Sequence, residues 1–405
     1  MNRRLIIIDD YSSSSINGIG TYVSQLVLIY QSIGYDVFAV AYNYPVQTVC
    51  FKEYKGVTTL CIPILKMEWC EYFTMCCHFL RLNVSDSSRN LFVFNYSISV
   101  HLLEAMKRYF VHSKFVYTIH DMSWTEVFKG NKEGFLQWYH SIAMNEPTGS
   151  ALLCSMDREK RMLDLSDKVI TLTETTFRLI KDIYRINPQK VSIIPNGITD
   201  TYMPCSKSEQ AVLRSQFSLQ QDEFIILYVG RIHPSKGIIP LLKAFDNISK
   251  LHKKTRLVMV GAQLKIFPEF MEHVKGKANV TCTGFVDKIQ LRKWYQIANL
   301  AVLPSFYEQC SFAGIEYMMQ HIPTVSSDGF CLGEMFVSFR NSLVANIEDH
   351  NDLCGFVTNL EKSIVQMMDN QDLATELADR GRLVFHQKYE IQNVIAWYEQ
   401  LESDL

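Results

Sequence analysis

Two glutamates eight positions apart, in Glu308-Gln-Cys-Ser-Phe-Ala-Gly-Ile-Glu316, form the most pointed pattern of reactive groups in this chain. The first follows an apolar strand-like run, Leu300-Ala-Val-Leu-Pro304, and the second lies within a helical run from Phe312 to Met319. This layout puts the peptide N–H groups of Ser311 and Phe312 at a helix N-terminus. Unpaired donors and the helix dipole there favour an anion such as a phosphate. Glu308 then faces the group attached to that phosphate. Glu316, about two turns further on, reaches a neighbouring polar group such as a ribose. Glutamates at this spacing also occur on ordinary solvated helices, so the rest of the chain has to decide.

A second cluster precedes the pair. Gly230-Arg231-Ile-His-Pro-Ser-Lys236-Gly237 follows the strand-like run Phe224 to Val229. Arg231 and Lys236, five apart across a turn containing Pro234, can both point at one departing diphosphate, where cations balance developing charge. Glycines on either side permit close backbone approach. An exposed basic turn fits the same residues, but their order ahead of the glutamate pair favours the clamp. Gly261, ending Leu257-Val-Met-Val-Gly, and Phe285 and Val286, after Thr283-Gly284, follow strand-like runs and read on their own as plain strand-to-loop turns. In the first half, Gly18 and Gly20 sit in the loop after the first strand, where a helix cap also explains them. Thr118-Ile-His120-Asp121 directly follows a strand. Strand C-terminal ends line the crevice of an open α/β sheet, so His120 faces that crevice.

These groups need a scaffold that brings strand ends together. Short apolar runs at Arg4–Ile8, Val37–Ala41, Leu91–Phe94, Phe115–Thr118, Val169–Leu172 and Val191–Ile194 alternate with helical patterns. A second series runs through Phe224–Val229, Arg256–Val260, Val280–Cys282, Leu300–Leu303 and Thr324–Ser326. Such alternation predicts doubly wound parallel sheets, hence an α/β chain of two Rossmann-like domains. The expected division is 1–200, 201–388 and a terminal helix within 389–405. Pro195-Asn-Gly197 and the polar stretch to about Asp222 form the connection.

Composition removes several classes. The 405 residues suffice for two cores, and 48% hydrophobic against 20% charged residues is the balance of a globular protein rather than a disordered one. A formal net charge of −2 with no basic run argues against a nucleic-acid partner. Eleven cysteines at irregular spacing, without a C-x-x-C pair, predict buried free thiols in a reducing compartment rather than a disulfide or zinc framework. The apolar run Leu5–Ile8 stops at Asp9-Asp10, too short for a secretory signal, and no stretch approaches a membrane span. A cytoplasmic protein is expected. Leu65 to Val84, with Trp69, Tyr72, Phe73, Met75, Phe79 and Leu80, reads either as a core helix or as an apolar acceptor or membrane-surface contact.

The E-x7-E pair and the G-R-x4-K-G cluster, in this order, resemble the signatures of retaining GT-B glycosyltransferases of the large family-four, or group 1, type. The resemblance spans nearly the full chain. It implies two Rossmann-like domains facing an interdomain cleft, with the terminal helix crossing back onto the first. It also implies transfer of a hexose-type sugar from a nucleotide diphosphate to a glycan, lipid-linked or peptide acceptor. Catalytic roles fall on Glu308, His120, Arg231 and Lys236. Donor contacts fall on Gly18, Gly20, Gly230, Gly261, Phe285, Val286, Ser311, Phe312 and Glu316. No cofactor and no required metal are implied, and the location is cytoplasmic, with a peripheral contact at the inner membrane face through the first domain. A nucleotide-sugar epimerase or phosphorylase on the same fold, or a silent partner subunit, stays open as an alternative. The chain departs from the family pattern at Ser311, where glycine is usual, and at His321.

Overall fold

The computed structural model describes residues 3–11, 18–54, 56–96, 99–145, 151–262 and 267–405. The chain divides into two units: Met1–Trp124 with Ile142–Ile198 and Ile391–Leu405, and Thr125–Ser141 with Thr199–Glu390. The sequence reading assigns 125–141 to the first domain. The structure groups it with the second, where Gly130 stands against the Phe306 carbonyl. The expected polar connection is also reduced. Its middle folds as the helix Lys207–Gln216, opened by a capping box between Ser206 and Glu209.

In the first unit, β1 (Arg4–Asp10), β2 (Asp36–Tyr44), β3 (Cys50–Tyr54), β4 (Val57–Pro63), β5 (Asn90–Phe94), β6 (Lys114–Ile119), β7 (Lys168–Thr171) and β8 (Val191–Ile193) make one sheet. Its order is β3-β4-β2-β1-β5-β6-β7-β8. Every pair is parallel except β3–β4. Leu5–Ile8 and Leu91–Phe94 are buried throughout, as central strands covered on both faces must be. Each such side chain removed from water contributes about 1.5–3 kcal/mol. The helix Trp69–Asn83 buries Tyr72, Phe73, Cys76, Cys77 and Leu80, which makes it a core helix. Its first residue, Trp69, is 58% exposed, and Ile64, Leu65 and Met67 just before it are exposed too. The helix Ile391–Ser403 belongs to this unit, where the Tyr398 hydroxyl meets that of Tyr22 at 2.8 Å.

The second unit carries β9 (Phe224–Val229), β10 (Thr255–Val260), β11 (Val280–Gly284), β12 (Leu300–Leu303), β13 (Thr324–Ser327) and β14 (Leu343–Ala345). The sheet is wholly parallel in the order β11-β10-β9-β12-β13-β14. Its core fills with Ile226, Leu257, Met259, Leu300, Val302 and Val325 from the strands and with Phe245, Phe356 and Leu360 from the helices. The chain moves outward from β9 to β10 and β11, then returns to lay β12 on the other side of β9. The strand order therefore reverses between β9 and β12, and the crevice at such a point is where open α/β sheets take ligands.

Gly261 ends β10 with φ +152°, and a Cβ there would lie 1.8 Å from the Gly230 carbonyl oxygen. The backbone of each strand end is held at that spacing by Gly230 N–H to Val260 O (2.9 Å) and Gly261 N–H to Gly284 O (3.0 Å). Gly261→Ala should destabilise the second unit by at least about 1–3 kcal/mol from backbone strain alone. Urea unfolding against Gly333→Ala, whose added methyl group meets nothing within 4 Å, checks this. Equal transitions for the two variants would refute it.

Candidate functional site

The loops after β9 and β12 carry the two sequence clusters, and the switch point sets them side by side. After Val229 the chain runs through Gly230 and Arg231 into a short turn, Pro234–Lys236, opened by Pro234 and capped by the His233 ring, which accepts from Ser235 N–H. Gly237 follows with φ +67°. A Cβ there would fall 1.8 Å from the Pro304 carbonyl, so glycine is what lets the β12 loop lie against this turn. Phe306 N–H donates to Ser235 O at 3.0 Å and completes the junction.

Across that junction Lys236 Nζ donates to Glu308 Oε1 at 2.7 Å, and Ser305 Oγ donates to the same oxygen at 2.9 Å. The two charged side chains are only 15% and 17% exposed. Glu308 is held from its backbone as well, its N–H donating to Phe330 O at 3.0 Å. Arg231 is exposed and has no ion-pair partner among the described residues, while its carbonyl accepts from Tyr228 Oη at 2.7 Å. One cation is thus tied to a carboxylate and the other faces solvent, both on one loop.

The helix Phe312–Met319 starts from Ser311, whose hydroxyl accepts from Gly314 N–H at 3.3 Å. The expectation for Ser311 needs correction. Its own N–H points at the Met335 sulfur, 3.3 Å away, and the residue is buried, so it is not an open anion donor. The Phe312 amide, one residue further into the helix, remains as the helix-end donor. Tyr317 locks the helix to the neighbouring strand end by accepting from Val229 N–H at 2.7 Å.

Glu316 has a partner of its own. Its Oε2 accepts from Tyr295 Oη at 2.6 Å. Burial raises its pKa above the ordinary glutamate value, against the lowering pull of that hydrogen bond and of Lys288. Phe285, at the end of β11, is 84% exposed, with Val286 half-buried behind it. Gly230, Gly261, Phe285, Val286, Ser311, Phe312, Glu308 and Glu316 all lie at C-terminal strand ends of one sheet or on the helix that follows. The sequence reading overlooked Ser305, Tyr295 and Tyr317. Ser305, three residues before Glu308, and Tyr317, next to Glu316, were within reach of it. Nothing in the spacing marks Tyr295.

The remaining site residues lie in the first unit. His120 follows β6, with Nε2 3.2 Å from Asn95 Oδ1 and its ring edge-on to Tyr22 at 4.3 Å. With Asn95 accepting, Nε2 carries the proton and Nδ1 keeps its lone pair, an assignment made from the hydrogen-bond network. Gly18 and Gly20 open the helix Gly18–Ser32 rather than sitting in a loop, and residues 12–17 before them lie outside the described residues. Cysteine placement also departs from expectation. All eleven are free, but Cys70, Cys154, Cys282 and Cys354 are exposed.

Known proteins resemble this chain in sequence and fold. The model of glycosyl transferases group 1 matches residues 209–384. That segment is similar to the glycosyl transferases group 1 family. The group 1 segment contains both cation residues, both glutamates and β9 to β14. A lipopolysaccharide 1,2-N-acetylglucosaminetransferase of Salmonella typhimurium is 33% identical over 187 residues, 43% of this chain and 47% of that protein. The chain thus spans about half the length of the curated relatives it matches. Among solved structures, sucrose-phosphate synthase from Thermosynechococcus elongatus superposes with a TM-score of 0.77 at 20% identity, over 99% of this chain and 98% of that one. Anabaena HepE superposes with a TM-score of 0.73 at 13% identity over the whole of both. The chain has the GT-B fold of these structures. No helix among the described residues is long and apolar enough to cross a membrane.

Burial lowers the His120 pKa to about 3. A base depressed on folding stays neutral while its unfolded counterpart, near 6.5, takes up a proton, so stability falls as pH drops from about 7 toward 3. The loss should be about 2 kcal/mol between pH 7 and 5 and should be absent in His120→Asn. NMR titration of the ring should show a neutral imidazole at pH 5. Protonation near pH 6.5 would contradict the burial argument.

Proposed function

We propose that the chain is a retaining glycosyltransferase that moves a hexose-type sugar from a nucleoside diphosphate to an acceptor on a glycan, a lipid-linked carrier or a peptide. The observation that carries this reading is the convergence of Arg231, Lys236 and Glu308 on the switch point between β9 and β12, with Lys236 Nζ and Glu308 Oε1 2.7 Å apart. Solved GT-B relatives support the donor class: one HepE structure holds UDP and glucose, and a starch synthase structure holds ADP and acarbose.

In this reading the diphosphate takes Lys236 away from Glu308 and adds Arg231 as its second cation. The Phe312 amide supplies a further donor. Charge grows on the leaving diphosphate as the glycosidic bond breaks, and these groups are already in place to meet it. Glu308, freed of its lysine, faces the transferred sugar and stabilises the cationic character it gains. Glu316 receives the ribose hydroxyls beside Tyr295. No step draws on a metal.

Arg231→Ala and Lys236→Ala should each weaken donor use by about 1.5–3 kcal/mol, the worth of a charge-assisted contact. Glu308→Gln should lower kcat far more than it weakens binding of the bare nucleoside diphosphate. Glu316→Ala should do the reverse, costing about 1–3 kcal/mol of nucleotide affinity. Calorimetry with UDP and ADP beside steady-state kinetics separates the two glutamates, and turnover should persist in excess EDTA. The same pattern for both glutamates, or activity restored only by added divalent metal, would overturn these assignments.

The exposed Ile64, Leu65, Met67 and Trp69 supply the peripheral contact we assign to a cytoplasmic enzyme at a membrane surface. Sedimentation with anionic phospholipid vesicles should carry the protein down, and Trp69→Ser with Leu65→Ser should leave it in the supernatant. No difference between the two would remove the membrane from the picture.

A further inference from the structure

Cys50 and Cys61 stand directly opposite each other across the antiparallel β3–β4 hairpin. Facing residues of such a pair have Cα atoms about 4.5–5.5 Å apart. That lies within the span of about 4.4–6.8 Å that a disulfide bridges. Both cysteines are free. No comparable placement holds for Cys76 and Cys77, which are successive residues of one helix and both buried.

The two sulfurs differ in ways that suit a stepwise oxidation. Cys50 is half-buried on the outermost strand of the sheet, which among the described residues pairs only with β4. Cys61 is buried, with its thiol directed at the Thr59 carbonyl 3.7 Å away. Burial, reinforced by the neighbouring Cys50, raises the Cys61 pKa to about 11, with Lys52 pulling the other way. The outer sulfur meets solutes first, and the inner one stays a thiol until its neighbour is activated.

We propose that Cys50 and Cys61 form a reversible dithiol–disulfide site whose oxidant is a hydroperoxide. The Cys50 thiolate attacks the peroxide, the O–O bond breaks, and an alcohol leaves (water, from hydrogen peroxide) with Cys50 as the sulfenic acid. The Cys61 sulfur then attacks the Cys50 sulfur. The S–O bond breaks, water departs with the thiol proton, and the S–S bond forms. Two electrons pass from the thiol pair to the peroxide. The new bond ties the edge strand to β4.

Reduced protein is treated with stepwise hydrogen peroxide and mapped by mass spectrometry under alkylating conditions. The expected product is a linked Cys50–Cys61 peptide pair two hydrogens lighter, reversed by dithiothreitol. Amide hydrogen exchange over Cys50–Tyr54 should slow by about tenfold in the oxidised form. Cys61→Ser should stop at a sulfenic acid on Cys50 that dimedone traps, and Cys50→Ser should give neither product. Oxidation of the exposed Cys70, Cys154, Cys282 and Cys354 while the pair stays dithiol would overturn the proposal. So would conversion of Cys50 to the sulfinic acid with Cys61 intact.

Discussion

The position of β9 in the second sheet governs everything placed around it. β9 pairs with β10 on one side and β12 on the other, yet the chain visits β10 and β11 before it returns to β12. Right-handed crossovers then have to put the helices after β9 and β12 on opposite faces, and the two loops separate at their tips while staying adjacent at their bases. Two segments some seventy residues apart in sequence meet without any long-range design of the loops themselves. What the local sequence adds is fit: a glycine where the Pro304 carbonyl presses on the turn, and a tyrosine hydroxyl that takes the last amide of β9.

The scaffold was largely legible because buried parallel strands announce themselves as unbroken apolar runs. β1, β5, β6, β9, β10 and β12 all read in this way. The edge hairpin β3–β4 did not. Lys52 and Glu53 interrupt β3, and an edge strand open to solvent needs no continuous apolar face. β14, a three-residue strand at the edge of its sheet, was missed as well. The insertion of residues 125–141 into the second unit was invisible, because nothing local distinguishes a segment that changes partners.

At the site, residue types and spacing pointed to the right loops but not to every atom. The charged pair was anticipated as two groups with separate tasks, whereas the structure joins Lys236 to Glu308 through one oxygen. The Ser311 amide was read as an open donor because helix position predicts it. A methionine twenty-four residues later occupies it instead, a tertiary contact that no local rule reports. Glu316 needed a partner to tolerate its burial, and Tyr295 comes from a helix whose sequence gives no hint of that duty.

The shared oxygen of Glu308 has a consequence for turnover on the proposed reading. A lysine enclosed without a counter-ion would hold a diphosphate tenaciously, and a product with two negative phosphates would leave slowly. Here the carboxylate is a resident substitute for the phosphate, already at hydrogen-bonding distance and braced by Ser305. Each arriving donor displaces it, and each departing product is exchanged for it, so the lysine passes between two anions and is never left bare. The glutamate thereby sets a ceiling on how tightly spent nucleotide can cling, and a site built for strong charge stabilisation is kept from being throttled by its own leaving group.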